Sequence, residues 1–378
     1  MKPSVRLFNP ENDIALALDN PYFTPPKNAL LLAAAGELLP AWMAAPGDAV
    51  LVRDSGKCEK RMNEFVDNFN PGIKVVESVK EYSSFIPWGW SGYAKNRFEK
   101  AGAEDGLPSD ETLVKCRNLS HRRTASRLSI ILESKLSFGI PEPALEITSF
   151  GQLKDLDYEF FFKLPWSSSG RGVFRSTSIK QSSFREHIEG MIKRHSSVMV
   201  ERALNPVRDF AMLFDICEGK CSFKGYSLFS NAGTAYSGNI LAPDSVLKKI
   251  LSEQVPEQHL TELEEKMPEA LQEIIGNDYS GSLGVDMMIY RDAESGKDNI
   301  APAIEINLRN TMGFVARSLT EKLLHPEATG RFSVFFGQSA NSETPAFGDG
   351  RLTSGEYLPV GQTENFIFKV KVEPIKTD

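Results

Sequence analysis

The sequence predicts an α/β protein of several domains, opening with an open α/β domain over residues 1–115. Two observations predict it. Short apolar runs alternate with helical patterns across that stretch, the order expected of an open sheet covered by helices. At 378 residues the chain is also too long for one small core, so two or three domains or subdomains are expected. Composition agrees: 41% hydrophobic and 25% charged residues are ordinary globular values.

In the first domain, Val5–Phe8 reads as a strand running into the polar turn Asn9-Pro10-Glu11-Asn12-Asp13. Residues 28–39 are helical and end at Pro40. Ala49–Val52 is a short buried strand, Cys58–Phe69 a helix, and Ile73–Val76 and Ser84–Pro87 are two further strands. Ligands bind beyond the carboxyl ends of such strands. That singles out Asn9, Glu11, Asn12 and Asp13 after the first strand and Trp88-Gly89-Trp90 after the last, with plain loop and packing roles as the alternative.

A basic cluster follows, Arg117, His121, Arg122, Arg123 and Arg127, on an amphipathic helix over 118–133 with Ser120 as its N-cap. Positive charge at a helix start opposes the macrodipole. Arg122 or Arg123 therefore calls for an anionic partner, unless the face is merely solvated. The helix ends at Phe138-Gly139-Ile140-Pro141. Phe160–Leu164 is an apolar strand carrying Lys163, a charge that is costly inside a strand unless paired. The small-residue loop Trp166–Gly172 follows, whose backbone N–H groups suit phosphate. A helix bearing Arg185 and Arg194 leads to the strand Ser197–Glu201, the turn Arg202–Asp209 and a meander, Phe210–Cys217 and Ser222–Ser230. Residues 250–275 are mostly helical.

Gly284–Tyr290 and Ala303–Arg309 are strand-like and joined by the turn-rich 291–299, so they form an antiparallel hairpin. Residues two apart share a strand face. Glu305, Asn307 and Arg309 then point one way, beside Asp286, while Ile304, Ile306 and Leu308 point into a core. Two carboxylates and an amide oxygen on one face make a hard-oxygen site suited to Mg²⁺; an ordinary solvent-facing strand has the same alternation. Residues 314–324 read as a helix, Gly330–Phe336 as a strand, 338–355 as loops and Glu364–Glu373 as a last strand.

Other classes are disfavoured. With 43 basic and 50 acidic residues the net charge is −7, which implies no general attraction to nucleic acid or anionic membrane. Four cysteines, none in a C-x-x-C pair, make no disulfide framework, and Cys217 and Cys221 read as strand residues around the turn 218–220 rather than metal ligands. No signal-type apolar run precedes Val5 and no stretch approaches a membrane span, so a cytoplasmic protein is expected.

In this order, the pieces resemble the ATP-grasp superfamily: a basic residue before a helix ending in Gly139-Ile140-Pro141, Lys163 before a Ser/Gly loop, Glu201 at a strand end, then Asp286 and Glu305-Ile306-Asn307-Leu308-Arg309. The resemblance spans roughly residues 115–318. It implies two ATP-grasp subdomains with mixed or antiparallel sheets clasping ATP between them. The chain then divides into an N-terminal domain 1–115, a small subdomain 116–200 with the lid loop, a metal-binding subdomain 201–337 and a C-terminal extension 338–378. Lys163 would contact the α- and β-phosphates. Ser167 to Gly172, with Ser169, Gly170, Arg171 and Gly172, would close over the triphosphate. Glu201 would meet the adenine amino group, backbone groups of Arg202 to Leu204 the adenine edge, and Asp209 the ribose. Asp286, Glu305 and Asn307 would hold one or two Mg²⁺ ions, with Mn²⁺ compatible, and Arg309 would stabilise charge on the acyl phosphate or on the phosphoryl group in transfer. The family's first basic residue is usually lysine; here Arg122 or Arg123 stands in that place. The implied activity is an ATP- and Mg²⁺-dependent ligation of a small carboxylate, amino acids included, to an amine. An ATP-grasp kinase and a nucleotide-binding protein without turnover are the alternatives. Small-molecule substrates are the implied partners, with no nucleic acid and no membrane; homo-oligomers are common among such enzymes.

Overall fold

The computed structural model describes residues 2–63, 69–70, 72–153, 159–167, 172–176, 182–232, 235–337 and 343–375. The N-terminal sheet is parallel, with β1 (Val5–Leu7), β2 (Ala49–Leu51), β3 (Lys74–Val76) and β4 (Phe85–Pro87) in the order β3-β2-β1-β4. Every residue of β2 is buried, as a strand covered on both faces requires. The chain reverses direction across the sheet between β1 and β4, and both loops leaving their carboxyl ends reach toward the remaining domains.

The basic helix differs from its expected form. Helix Asp110–Leu119 ends first, and Ser120 is its C-terminal cap, donating its hydroxyl to Cys116 O at 2.8 Å. A second helix, Arg123–Lys135, then starts without a side-chain cap at Arg122. Ser120 is a hydroxyl bonding back along its own helix, so it is unavailable as an N-cap. The intervening residues instead tie to the segment after strand Phe160–Lys163, with Arg122 N–H donating to Pro165 O at 3.1 Å. Residues 250–275 likewise divide between two helices, the end of Asp244–Ser252 and the whole of Glu257–Ile275.

Two antiparallel sheets face each other. The smaller has β5 (Leu145–Ile147), β6 (Phe160–Lys163), β7 (Val173–Ser176) and β8 (Val198–Arg202) in the order β5-β8-β6-β7. Its core is Ile147, Phe160, Phe162, Val198 and Val200 under helix Ser182–His195. The larger has eight strands: β9 (Asn205–Cys217), β10 (Lys220–Ala232), β11 (Ala235–Leu241), β12 (Gly281–Arg291), β13 (Asp298–Asn307), β14 (Gly330–Phe336), β17 (Glu356–Tyr357) and β18 (Phe366–Val372), with a separate hairpin of β15 (Ala346–Gly348) and β16 (Arg351–Ser354). Cys217 and Cys221 flank the β9–β10 turn as strand residues. Glu218 and Gly219 both take positive φ, 50° and 74°, the backbone of a tight primed hairpin turn.

The last strands are woven into this sheet, since β18 pairs with β14 along its length. They also floor the first domain: Phe368 and Val370 share one buried cluster with Phe8, Leu38, Trp42 and Val50. Trp42 donates its indole N–H to Pro359 O at 2.7 Å. Among the described residues, no helix is long and apolar enough to cross a membrane.

Candidate active site

The β12–β13 hairpin forms in the expected sense, and its register sets Asp286 directly opposite Glu305 and Gly284 opposite Asn307. Directly opposed strand residues lie about 5 Å apart at Cβ, so the two carboxylates share one small volume. Burial first, and then the Glu305 charge, push the Asp286 carboxyl up to about 7. The ladder shifts between Asp286 and Met288, which pairs with Ala301. Pro302 sits in the extra length and has no N–H to give a ladder. This bulge turns Ile304 to line the neighbouring cleft, whereas Ile306 and Leu308 are buried as expected.

Positive groups converge on these carboxylates. Arg122 Nη1 lies 2.9 Å from Glu305 Oε2, the anionic partner that its place at a helix start demanded. Its Nη2 donates to Ser167 O and Oγ at 3.0 and 3.3 Å, while its buried Nε has no hydrogen-bond partner among the described residues. Arg123 pairs separately with Glu146 at 3.5 Å. Asn307 departs from the expected metal-facing oxygen. Its Nδ2 donates to Asp286 Oδ2 at 3.0 Å, and its Oδ1 accepts from Arg309 Nη2 at 2.8 Å. Arginine can only donate, so the network itself fixes this amide orientation.

A cleft opens between the two antiparallel sheets, lined by Arg122, Lys163, Glu201, Arg202, Leu204 and Ile304 among others. Lys163, only 9% exposed, is paired with Glu201 across β6 and β8, which answers its cost inside a strand. Asp209 lies on β9 facing Asn231, whose amide donates to it at 3.2 Å. Burial raises its carboxyl above the usual range, and Asn231 and Lys163 partly offset that. Gly172 (φ 69°) accepts from Leu164 N at 2.9 Å, and a Cβ there would meet the Leu164 side chain at 2.5 Å. Ser169, Gly170 and Arg171 lie outside the described residues. Trp166, at the base of that loop, stacks under the Arg117 guanidinium at 3.9 Å and edge-on to His121.

The N-terminal loop also reaches the site. Arg309 Nε and Nη2 donate to the two oxygens of Asp13 at 3.1 and 2.8 Å, a two-pronged pair linking the first domain to the hairpin. Asn310 N donates to Trp88 O at 2.8 Å beside it. Asn9, fully buried, donates to Gly89 O at 2.9 Å, so this part of the candidate loop is structural. Trp88 packs edge-on to Phe8 with centroids 4.9 Å apart and is a core residue. Asn239 is buried too, donating to Ser227 Oγ at 2.7 Å. Sequence spacing points to Asp13 only as one member of a polar turn; nothing local signals its bond to Arg309.

Could these residues hold a divalent cation? Two opposed carboxylates are the hard, anionic oxygens that Mg²⁺ takes, and they are now balanced by the Arg122 and Arg309 guanidinium groups. Asp286 and Glu305 are of the right chemistry for such an ion once Arg122 and the Asn307 N–H₂ group give way, and Asn307 fits once its oxygen turns. Among the described residues no group of three or more His, Cys, Asp and Glu side chains is placed to hold a metal.

No family model matches the sequence, and no curated protein matches it. Solved structures do. Biotin carboxylase from Campylobacter jejuni, solved as its beta-gamma-ATP complex, superposes over 98% of this chain and 86% of its own, with a TM-score of 0.55 at 12% identity. N5-carboxyaminoimidazole synthetase from Staphylococcus aureus, complexed with ADP, covers 99% of this chain and 94% of its own, with a TM-score of 0.49 at 10% identity. D-alanyl-alanine synthetase A from Vibrio cholerae covers 85% and 92%, with a TM-score of 0.41 at 14% identity. The first likeness carries the weight, because the other two superpose too loosely. Over nearly its whole length, the chain has the ATP-grasp fold.

Proposed function

We propose that the protein is an ATP- and Mg²⁺-dependent ligase that joins a small carboxylate, amino acids included, to an amine through an acyl phosphate. The observation that carries this reading is that Lys163 and Arg122 line the inter-sheet cleft and that Arg122 pairs from there with Glu305, which the hairpin register sets opposite Asp286.

A carboxylate must exchange a poor leaving group for a good one before an amine can displace it. In the proposed step a carboxylate oxygen takes the γ-phosphoryl group and ADP departs. The amine nitrogen then bonds to the acyl carbon, phosphate leaves and the nitrogen gives up a proton. Such transfer depends on positioning and on cations more than on covalent help from the protein. Lys163 would exchange Glu201 for phosphate oxygens, and Arg122, with an N–H still to satisfy, would turn from Glu305 toward the same oxygens. Glu201, Arg202 and Leu204 would line the adenine and Asp209 the ribose. Asp286, Glu305 and Asn307 would hold Mg²⁺, which when bound supplies concentrated positive charge for the phosphates. Arg309, held by Asp13, would stand over the reacting carboxylate. The Trp166-Ser167 base of the lid loop would help keep water from the acyl phosphate.

The test is ATP turnover with panels of carboxylic acids and amines, following ADP release and amide formation. Glu305→Ala should abolish Mg²⁺-dependent turnover while the protein stays folded. Lys163→Ala should weaken binding of a non-hydrolysable ATP analogue by about tenfold to a hundredfold, the loss of a charge-assisted contact. A phosphorylated acid or alcohol accumulating as the end product would favour a kinase. Unaltered nucleotide affinity in Lys163→Ala would overturn the cleft assignment.

A further inference from the structure

We propose that Asp13, a residue of the N-terminal domain, is a positioning residue that keeps Arg309 in place while the Asn307 amide turns its oxygen from Arg309 to a divalent cation. The inference rests on the ligase reading above and adds to it a link between metal binding and the first domain.

The chain of contacts runs Asp13–Arg309–Asn307–Asp286. Arg309 gives Nε and Nη2 to Asp13 at 3.1 and 2.8 Å, and Nη2 also to Asn307 Oδ1 at 2.8 Å. Asn307 gives Nδ2 to Asp286 at 3.0 Å. In this arrangement the amide points an N–H₂ group, not an oxygen, at the carboxylate pair. A cation seated between Asp286 and Glu305 repels that N–H₂ group and draws the oxygen. The turn has a consequence for Arg309, because Asn307 then faces it with donors against donors and its Nη2–Oδ1 bond is lost. Beyond Nη1 to its neighbour Asn310 O at 3.3 Å, a 16% exposed guanidinium beside a bound cation then needs another anchor to keep its place. Asp13 is that anchor, since both of its hydrogen bonds survive the turn. It is itself held on the first turn of helix Asn12–Leu18, a different element from the hairpin. With Asp13 removed, Asn307 Oδ1 becomes the main acceptor for Arg309 and is less free to turn. Metal binding weakens while nucleotide binding in the absence of metal does not. Outer partners of metal ligands typically tune affinity by about tenfold to a hundredfold.

The experiment measures affinity for a non-hydrolysable ATP analogue by calorimetry, in EDTA and at saturating MgCl₂. The ratio of the two dissociation constants is the metal–nucleotide coupling. Asp13→Asn should lower that ratio about tenfold with the EDTA value unchanged, and Asp13→Glu should restore most of it. Asn307→Asp supplies the decisive background, because a carboxylate offers one oxygen to Arg309 and the other to the metal without turning. Asp13→Asn should therefore cost little coupling in Asn307→Asp protein. An equal loss in both backgrounds, or no loss in either, overturns the proposal. Should Asp13→Asn fail to fold, Arg309→Lys tests the same link, since removing the fork should free Asn307 and raise the coupling; an unchanged ratio there also overturns it. Wild-type protein that binds no nucleotide with or without Mg²⁺ overturns the ligase reading instead.

Discussion

Glu11 is the most exposed to consequence of any single residue in the first domain, because it is hidden. Only 1% of it is accessible, neither carboxylate oxygen has a well-formed hydrogen-bond partner among the described residues, and Arg97 Nη1 stays 3.9 Å away. Burial raises its carboxyl above the ordinary 4.5, with its own backbone N–H, Arg97 and Arg53 offsetting only part. An acid with a raised folded-state pKa holds its proton more tightly when folded. Between the ordinary and the raised value the native state then binds more protons than the unfolded state, so stability falls as pH climbs through that window. Glu11→Gln should leave the melting temperature nearly unchanged at pH 4 and raise it at pH 8. Scanning calorimetry at both values checks this; an equal shift at both would show that ionisation of Glu11 is not the cause.

At the scale of elements, the β9–β10 hairpin makes a sharp prediction. Gly219 has a positive φ, and a Cβ there would lie 2.6 Å from Asn277 Oδ1. Gly219→Ala should cost about 1–3 kcal/mol, read as a lower urea midpoint with an unchanged slope. An unmoved midpoint would mean that the turn is not held in this form. Elements also show what was legible in the sequence. The β12–β13 hairpin could be read because its information is local: alternation fixes the faces and a turn-rich linker fixes the pairing. Asp286 beside Glu305 follows from those two facts. The bulge at Pro302 was not read, although a proline inside a strand is its signal, and Ile304 was placed in the core for that reason. Ser120 was misread because a hydroxyl before a helix looks the same whether it caps the next helix or bonds back into the last one. Arg309 and Asp13 stand 296 residues apart, and the direction of the Asn307 amide depends on that distant pair. No local pattern carries either fact.

At the scale of the molecule, the first domain and the last strands share one core. Gly36 packs so closely that a Cβ would lie 2.5 Å from Phe8 and 3.0 Å from Phe368. Phe368 is fully covered beneath Phe8 and Trp42 in the same cluster. Phe368→Ala should cost about 3–5 kcal/mol and lower the melting of the parallel sheet and the eight-stranded sheet together. Calorimetry should show one transition moving down; a first-domain transition splitting away would mean that the shared core is not cooperative.

The strand that returns under the first domain has a consequence for engineering. An N-terminal domain taken from another chain of this fold would arrive without the surface that fits Phe368 and Val370, and without a tryptophan to meet Pro359. Wholesale domain exchange should therefore yield insoluble hybrids here. Under the proposed ligase reading, altered acceptor preference would have to come from grafting the short loops after β1 and β4 onto the resident scaffold, with Asp13 retained.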